Sequence, residues 1–208
     1  LALIEGSSSA GKSVLCQHLS YGSLLGGRAV AYITSENTVA SLSNKMKSIG
    51  LSPSEYLRAG TFQIFPVDLT AHDPHPELSM EYLAQGIERL PIQYEVIIVD
   101  SITGVAADTD DRAILSFFSR CKRLCSNGRT VILTVHSNIL DEKSLIRLRA
   151  LCDADLNLTV ENIGIRLVKV LEVRKLQEKL DDLETRLARS VGLQSEGRSP
   201  QPARHQPR

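Results

Sequence analysis

The residues best suited to bind phosphate lie near the start of the chain, at Gly6 to Ser13, and read GSSSAGKS. This stretch fits the pattern GxxxxGK[ST] without a mismatch. Glycines let backbone N–H groups wrap phosphate oxygens, and Lys12 can reach the β- and γ-phosphates. Ser13 can ligate Mg²⁺, and the helix that follows points its N-terminus at the anion. We expect nucleotide contacts from Gly6, Ser7, Ser8, Ser9, Ala10, Gly11, Lys12, Ser13 and Val14.

A carboxylate that can share the metal ion ends the apolar stretch VIIVD. This residue is Asp100, in the position of a Walker B acid, which holds Mg²⁺ through water. Many α/β proteins end a buried strand with Asp, but together with the phosphate-binding stretch the carboxylate becomes informative. The two motifs predict ATP and Mg²⁺ as cofactors, with Ser13 and Asp100 at the metal ion and Asp100 also among the nucleotide-binding residues.

Two further polar residues follow or end predicted strands and are candidates for catalysis. Glu36 closes AYITSE, where a carboxylate beside the nucleotide can polarise an attacking water. His136 closes TVILTVH, where a polar side chain can sense the γ-phosphate. The residues alone leave two alternatives open. Glu36 can be a solvated acid at a strand end, and His136 can be a histidine whose hydrogen bonds at a strand end serve only the structure.

A second metal site is not expected from the remaining ligand-type residues. The histidines of HDPHP, His72 and His75, fit a Pro-rich loop better than a metal site. The four cysteines form no CxxC pair, and two thiols one helical turn apart make only half a zinc site. We therefore expect no zinc and buried, reduced cysteines in a reducing cytoplasm. They are Cys16, Cys121, Cys125 and Cys152.

Composition limits the classes of partner. The 208 residues include 24 Lys and Arg and 24 Asp and Glu, so net charge gives no reason to expect nucleic acid. Apolar runs are shorter than the roughly 18 residues of a membrane-spanning helix, and a basic-flanked signal peptide is lacking. We expect a cytoplasmic protein. Because the chain starts directly on an apolar run, we also expect the natural sequence to continue upstream of Leu1.

The elements that position these residues alternate between apolar strands and helices. Strands are predicted at 1–4, 29–34, 61–65, 94–100 and 130–136, with helices at 13–25, 38–49, 77–90, 110–126 and 141–151. This alternation indicates an α/β fold with a mostly parallel sheet and helices on both faces. The stretches 154–161 and 165–173 predict a hairpin that adds antiparallel strands at one edge.

The residue pattern and composition of the sequence change near its C-terminal end. Residues 1–172 are predicted to form the ATP-binding domain, 173–193 an amphipathic helix and 194–208 a disordered tail. Leucines in the helix segment recur with a period of 3.5 over about two heptads. Docking of this helix on its own domain is the first interpretation, and a short coiled coil with another chain is the alternative. The tail is rich in Pro, Ser and Arg, which is typical of disorder.

The order of these markers resembles that of the RecA/KaiC branch of P-loop ATPases. Within it, the stretches GKSVLCQHLSYGSLLGG, AYITSENT, IIVDSITG and VILTVHSNIL resemble the FlaH family of archaellum (archaeal flagellum) accessory ATP-binding proteins. The resemblance covers residues 1–174 and implies a RecA-like P-loop NTPase fold that binds Mg-ATP. It also implies a cytoplasmic place at the inner face of the cell membrane, contacting the membrane only through the motor complex. The motor ATPase FlaI and the ring scaffold FlaX are the partners that it implies.

The sequence departs from the pattern of these relatives in three places. KaiC proteins carry two adjacent glutamates where this chain has Glu36 and Asn37. Their edge strand ends in a Lys-x-Arg pair that reaches the phosphates of a neighbouring subunit, whereas here only Arg174 of Glu172-Val173-Arg174 matches it. The heptad helix and tail replace the usual C-terminal β-structure.

These departures favour a regulatory role in which ATP is held and hydrolysed slowly or not at all. At most, the protein is expected to be a slow ATPase of the RecA/KaiC type. The alternative is a KaiC-like ATPase or autokinase that phosphorylates its own Ser or Thr residues. A RadA-like DNA recombinase is less favoured, because charge is balanced and aromatic residues are few. RecA-like folds often form rings, so a homo-oligomeric ring is a further expectation of the resemblance.

Overall fold

The computed structural model describes residues 1–68, 76–137, 139–164 and 166–176. Its strands are β1 (Ala2–Gly6), β2 (Ala29–Thr34), β3 (Phe62–Pro66), β4 (Tyr94–Asp100), β5 (Thr130–His136), β6 (Ala154–Ile163) and β7 (Arg166–Leu176). Its helices are α1 (Lys12–Leu25), α2 (Val39–Ser48), α3 (Ser54–Ala59), α4 (Pro76–Arg89), α5 (Thr103–Ala107), α6 (Asp111–Ser126) and α7 (Glu142–Leu151).

The strands of this part of the chain form one sheet in the order β3-β2-β4-β5-β1-β6-β7. Every neighbouring pair is parallel except β6 and β7, which form an antiparallel hairpin at the edge. The predicted α/β fold and mostly parallel sheet are therefore confirmed. Strand β5 lies between β1 and β4, so the strand that precedes the phosphate-binding loop and the strand that ends in Asp100 are not direct neighbours.

Apolar side chains cover both faces of the sheet. On one face, Leu3, Ile97 and Leu133 are fully buried in a cluster that includes Phe117 and Phe118 of α6. On the other face, residues of β1, β2 and β4 pack with α1 and α2, as Ile4, Tyr32, Ile98, Cys16 and Leu42 illustrate. Burial on both faces explains why the strands are near-continuous apolar runs instead of alternating patterns.

Side-chain caps fix where three of the helices begin. Thr38 Oγ1 accepts a hydrogen bond of 3.1 Å from the backbone N–H of Ser41 at the start of α2. Asp110 and Asp141 do the same for α6 and α7, accepting from N–H groups three residues ahead at 2.7 and 2.9 Å. A cap of this kind contributes about 1 kcal/mol by satisfying an N–H that has no partner within the helix.

The C-terminal boundary predicted from the sequence is wrong by four residues. Strand β7 continues to Leu176, so the residues from Val173 onward begin as strand and not as helix. Pairing with β6 outweighs the leucine period there, because Val173 lies opposite Leu156 and Lys175 opposite Asp155. The remainder of the predicted helix, 177–193, and the tail, 194–208, lie outside the described residues.

The cysteines and the membrane prediction can be compared with the structure in part. All four cysteines are free, and Cys16, Cys121 and Cys152 are buried as expected. The expectation is wrong for Cys125, which is only half-buried. His72 and His75 lie outside the described residues. Among the helices of the described segments, none combines the length and hydropathy needed to cross a bilayer.

Candidate nucleotide-binding site

The predicted phosphate-binding loop connects β1 to α1 at the carboxyl end of the sheet, and two glycines give it its shape. A Cβ on Gly6 would lie 2.4 Å from the carbonyl oxygen of Leu158 in β6, far closer than any real contact. Gly11 precedes α1 with a φ of +110°, a backbone angle that residues with a Cβ rarely adopt. Ser9 also has a positive φ, of 63°. The chain can therefore turn tightly enough to present its backbone to a ligand.

Lys12 folds back over the loop that precedes it. Its ammonium donates hydrogen bonds to the carbonyl oxygens of Gly6 at 2.9 Å and Ser7 at 2.8 Å. Burial lowers the pKa of Lys12, and the nearby carboxylates of Asp100 and Glu36 oppose that shift. A buried ammonium held only by neutral carbonyl oxygens is poised to exchange them for an anionic oxygen.

Asp100 is the centre of the polar network at this end of the sheet. Its Oδ1 accepts hydrogen bonds from the hydroxyl groups of Ser13 and Thr134, both at 3.1 Å. Its Oδ2 accepts one from the hydroxyl of Tyr32 at 2.7 Å. The carboxylate is only 4% exposed, and the peptide bond to Ser101 is cis. The side chains of Ser13 and Asp100 thus meet, as the sequence predicted.

This pair of oxygen ligands fits a magnesium ion by its chemistry. Mg²⁺ prefers hard oxygen donors and is usually bound by one or two protein oxygens together with substrate phosphates and water. The hydroxyl of Ser13 and the carboxylate of Asp100 lie at the end of the loop where the phosphates are expected.

Tyr32 and Thr134 are parts of the site that the sequence analysis missed. Burial raises the pKa of Tyr32 well above its usual range, so its hydroxyl remains a donor to the carboxylate. The available signal was the position of each residue, since both are polar side chains inside the otherwise apolar strands AVAYIT and TVILTVH. Buried polar groups need partners, and Asp100 is the partner of both.

Glu36 and His136 face the same cavity as the loop. It has a volume of about 280 Å³ and is lined by Ser8, Ser9, Gly11, Lys12, Ser13, Val14, Glu36, Asp100, Ser101, His136 and Lys169. Glu36 is exposed and His136 is half-buried. Burial, and then the charge of Lys12, lower the pKa of His136, so the ring is neutral at neutral pH.

The remaining predicted loop residues contribute through the backbone or by packing. Gly6 and Ser7 meet Lys12 through their carbonyls, and Ala10 is fully buried beneath the loop. The structure therefore brings together the residues predicted for the site, and their roles toward a nucleotide remain predictions. Lys169 of β7 was not predicted to lie here.

A larger apolar cavity, of about 460 Å³, lies elsewhere, between α4 and the β2–β3 edge of the sheet. Ile33, Phe65, Leu83 and Ile87 are among the residues that line it. Asp68, Ser79 and Tyr82 also line it, but among the described residues no lysine and no glycine-rich loop does. The chemistry of the lining, rather than the volume, therefore places the candidate site at the loop cavity.

The sequence model of the family described as "ATPase: KaiC" matches residues 1–185 of this chain. The chain belongs to the KaiC family of ATPases. Its RecA-like fold follows from this membership together with the sheet order and the loop geometry described above.

Individual relatives place the chain near one branch of the KaiC family. It is similar to the archaeal flagellar ATP-binding protein FlaH of Sulfolobus acidocaldarius, with 28% identity over 82% of this chain and 75% of that protein. The FlaH protein of Methanocaldococcus jannaschii is 30% identical over 72% of this chain, and this chain spans 64% of that relative. The resemblance to FlaH is therefore confirmed.

Solved structures agree with the sequence comparisons. The crystal structure of the flagellar accessory protein FlaH from Methanocaldococcus jannaschii superposes with a TM-score of 0.68, at 25% identity, over 85% of this chain and 78% of that chain. A KaiC-like protein from Pyrococcus horikoshii superposes with a TM-score of 0.64 over 85% and 79%, and its 20% identity supports the fold alone.

Two of the three departures from the pattern of the relatives, at Asn37 and at Arg174, have structural counterparts. The amide of Asn37 turns beneath α2, where its oxygen accepts hydrogen bonds from Lys45 Nζ at 2.6 Å and Ser41 Oγ at 3.3 Å. Arg174 pairs within its own chain, donating to Glu172 at 2.9 Å and lying 3.6 Å from Glu5. Both side chains are therefore engaged away from the loop cavity.

Proposed function

We propose that this chain is a Mg-ATP-binding regulatory subunit of the archaellum motor, in which ATP binding controls the interaction with the motor ATPase. The observation that carries the proposal is the convergence of Lys12, Ser13 and Asp100 at one loop. Three relatives that are named archaeal flagellar ATP-binding proteins support the assignment to the motor.

The phosphates and the magnesium ion of a bound Mg-ATP have candidate residues in this site. The backbone N–H groups of the loop and the N-terminus of α1 would hold the phosphates, and Lys12 would exchange its loop carbonyls for phosphate oxygens. Ser13 and Asp100 are the candidates for the magnesium ion. The ion would neutralise charge on the phosphate oxygens. Because the cavity is small and polar, the nucleoside would lie outside it, on the open surface.

Slow hydrolysis is the second part of the proposal. Glu36 is the candidate to orient the attacking water. Because Glu36 is exposed, bulk solvent also forms hydrogen bonds with its carboxylate, and the attacking water is held less firmly. The position where KaiC proteins place a second glutamate is Asn37, whose amide is held by Lys45 beneath α2. Neutral His136 can sense the γ-phosphate as a hydrogen-bonding partner rather than as a cation. The site would then hold ATP longer than it consumes it.

The partners proposed from the FlaH resemblance are the motor ATPase FlaI and the ring scaffold FlaX. The protein would act in the cytoplasm at the inner face of the membrane, attached through the motor complex. The proposed assembly is a homo-oligomeric ring. Arg174 is paired with Glu172 and Glu5 in its own chain, so a contact from Arg174 to the phosphates of a neighbouring subunit would require these pairs to break.

Membership of the KaiC family favours one alternative, an ATPase or autokinase that phosphorylates its own Ser or Thr residues. Mass spectrometry of the chain after incubation with Mg-ATP distinguishes the two functions. A phosphorylated residue whose formation requires Glu36 would favour the autokinase, and unmodified protein would favour the regulatory subunit.

The experiment that tests the proposal compares Lys12→Ala with Lys47→Ala, a control at an exposed lysine of α2. ATP affinity and binding to FlaI are measured on the same samples, with and without Mg-ATP. We expect Lys12→Ala to lose ATP binding and ATP-dependent FlaI binding, and Lys47→Ala to retain both. The proposal fails if Lys12→Ala leaves ATP affinity and partner binding unchanged.

A further inference from the structure

The edge hairpin delivers a lysine to the phosphate-binding loop of its own chain. In β6, Leu158 lies opposite Gly6 of β1, and two residues further on Val160 lies opposite Lys169 of β7. The side chain of Lys169 returns over the loop. Its Cδ and its Nζ both lie 3.6 Å from the point that a Cβ on Gly11 would occupy.

Lys169 shares the loop cavity with Lys12, Ser13, Glu36 and His136. Within the described residues, Lys12 donates to two loop carbonyls, whereas Lys169 is exposed and has no hydrogen bond or ion pair. Its ammonium therefore points at the loop without a protein anion to hold it there.

The carboxylates of Glu36 and Asp100 also line this cavity, but in the described residues neither forms an ion pair with Lys12 or Lys169. Positive charge at the start of α1 is therefore left without a directly paired anion. Gly11 precedes α1, and the N-terminus of a helix carries partial positive charge, which repels a lysine. Lys12 adds a second positive charge beside it. Two ammonium groups at a helix N-terminus are mutually compatible when a multiply charged anion lies between them, as a polyphosphate would.

We propose that Lys169 binds the phosphate chain of the nucleotide held by its own subunit. This inference rests on the nucleotide binding proposed above. From the KaiC resemblance, a basic residue of a neighbouring subunit would be expected to contact the phosphates, whereas Lys169 would contact them from the same subunit. Arg174, which matches that neighbour-reaching residue, is paired with Glu172 and Glu5. Lys169 lies five residues before Arg174 and is the residue through which the hairpin places a positive charge at the phosphate site of its own subunit.

The direct test measures Mg-ATP and Mg-ADP affinity of Lys169→Ala beside Arg166→Ala. Arg166 lies in the same strand, is exposed and carries the same charge, so it controls for nonspecific loss of positive charge. Loss of a charge-assisted hydrogen bond is expected to weaken ATP binding about tenfold in Lys169→Ala. Arg166→Ala is expected to stay within about twofold of the wild-type chain, since long-range attraction alone is screened by salt.

Mixing Lys12→Ala chains with Lys169→Ala chains tests whether Lys169 acts on the site of its own subunit or on that of a neighbour. If Lys169 acts within its own subunit, every site in the mixture lacks one lysine and ATP affinity stays low. If it acts between subunits, mixed oligomers contain sites with both lysines, and the recovery of wild-type affinity in a share of sites would overturn the assignment.

Two outcomes separate this inference from the function on which it rests. Wild-type chain that binds Mg-ATP, together with Lys169→Ala that binds it equally well, refutes the role of Lys169 and leaves nucleotide binding intact. Wild-type chain that fails to bind Mg-ATP overturns both. An unchanged urea midpoint for Lys169→Ala confirms that a loss of affinity is not a loss of folding.

Discussion

Replacing Tyr32 by Phe tests how firmly the buried carboxylate of Asp100 is held. The hydroxyl of Tyr32 donates to Oδ2 of Asp100 at 2.7 Å, while the other two donors, Ser13 and Thr134, both bond Oδ1. Phe keeps the ring and removes only the hydroxyl. Oδ2 then loses its donor in a place that is 4% exposed, where water cannot easily substitute.

The magnitude follows from the charge of the acceptor. A hydrogen bond to a charged group contributes roughly 1.5–3 kcal/mol to stability, so we expect Tyr32→Phe to lower the free energy of unfolding by about 2 kcal/mol. For a domain of this size that corresponds to a fall in melting temperature of about 4–8 °C.

Tyr94→Phe is the matched control. Both tyrosines are buried, and each ring packs edge-to-face on a phenylalanine, Tyr32 on Phe62 and Tyr94 on Phe65. The hydroxyl of Tyr94, however, donates to the neutral carbonyl of Gly60 at 3.3 Å. Its removal should cost about 0.5–1 kcal/mol.

The assay is urea unfolding of the three chains, followed by circular dichroism, in one buffer at neutral pH. We expect the free energy of unfolding to fall at least twice as far in Tyr32→Phe as in Tyr94→Phe. Equal losses would refute it, because they would mean that the hydroxyl of Tyr32 gains nothing from facing the carboxylate of Asp100.

Three further predictions, made with four substitutions, concern the loop, the edge hairpin and position 37. Gly6→Ala should destabilise the chain by more than about 2 kcal/mol, because its Cβ would meet a backbone oxygen at 2.4 Å, whereas Gly22→Ala, in open space on α1, should stabilise it by about 0.5–1 kcal/mol; thermal unfolding measures both. Burial, and then the charge of Glu5, raise the pKa of Asp155 from 3.8 to about 6, so its contribution to stability is present below about pH 4 and is lost as pH rises through 6. Asp155→Asn should therefore gain stability relative to the wild-type chain between pH 4 and pH 7 in urea titrations, and a constant difference across that range would contradict the shift. Asn37→Glu should leave the rate of phosphate release unchanged, because position 37 faces Lys45 and not the cavity; a clear rise in turnover would show that this position reaches the nucleotide.

Much of the fold is predictable from the sequence because both faces of the sheet are covered. Buried parallel strands appear as short apolar runs, and the runs at 94–100 and 130–136 coincide with β4 and β5. The short helix α5 was missed, since five residues carry too little periodicity to be recognised. The extension of β7 was missed because Val173 and Leu176 also fit a helical period, and only the pairing with β6 decides between strand and helix.

The candidate site was predictable where a motif fixes the local geometry. The loop and Asp100 are recognisable because their backbone shapes and strand-end positions are local properties. Tyr32, Thr134 and Lys169 reach the site from β2, β5 and β7, so their roles depend on sheet order and register, which the sequence does not encode locally. The inward or outward direction of Asn37 likewise depends on its contacts with α2.

The most direct test of the central account is to measure Mg-ATP affinity and turnover on one preparation of the wild-type chain. The account predicts micromolar binding and turnover far below a typical enzyme rate of about 10 s⁻¹. A Lys12→Ala chain measured in parallel should lose the binding. Absence of ATP binding by the wild-type chain, or turnover at about 10 s⁻¹ or faster, would contradict a protein that holds ATP as a regulatory ligand.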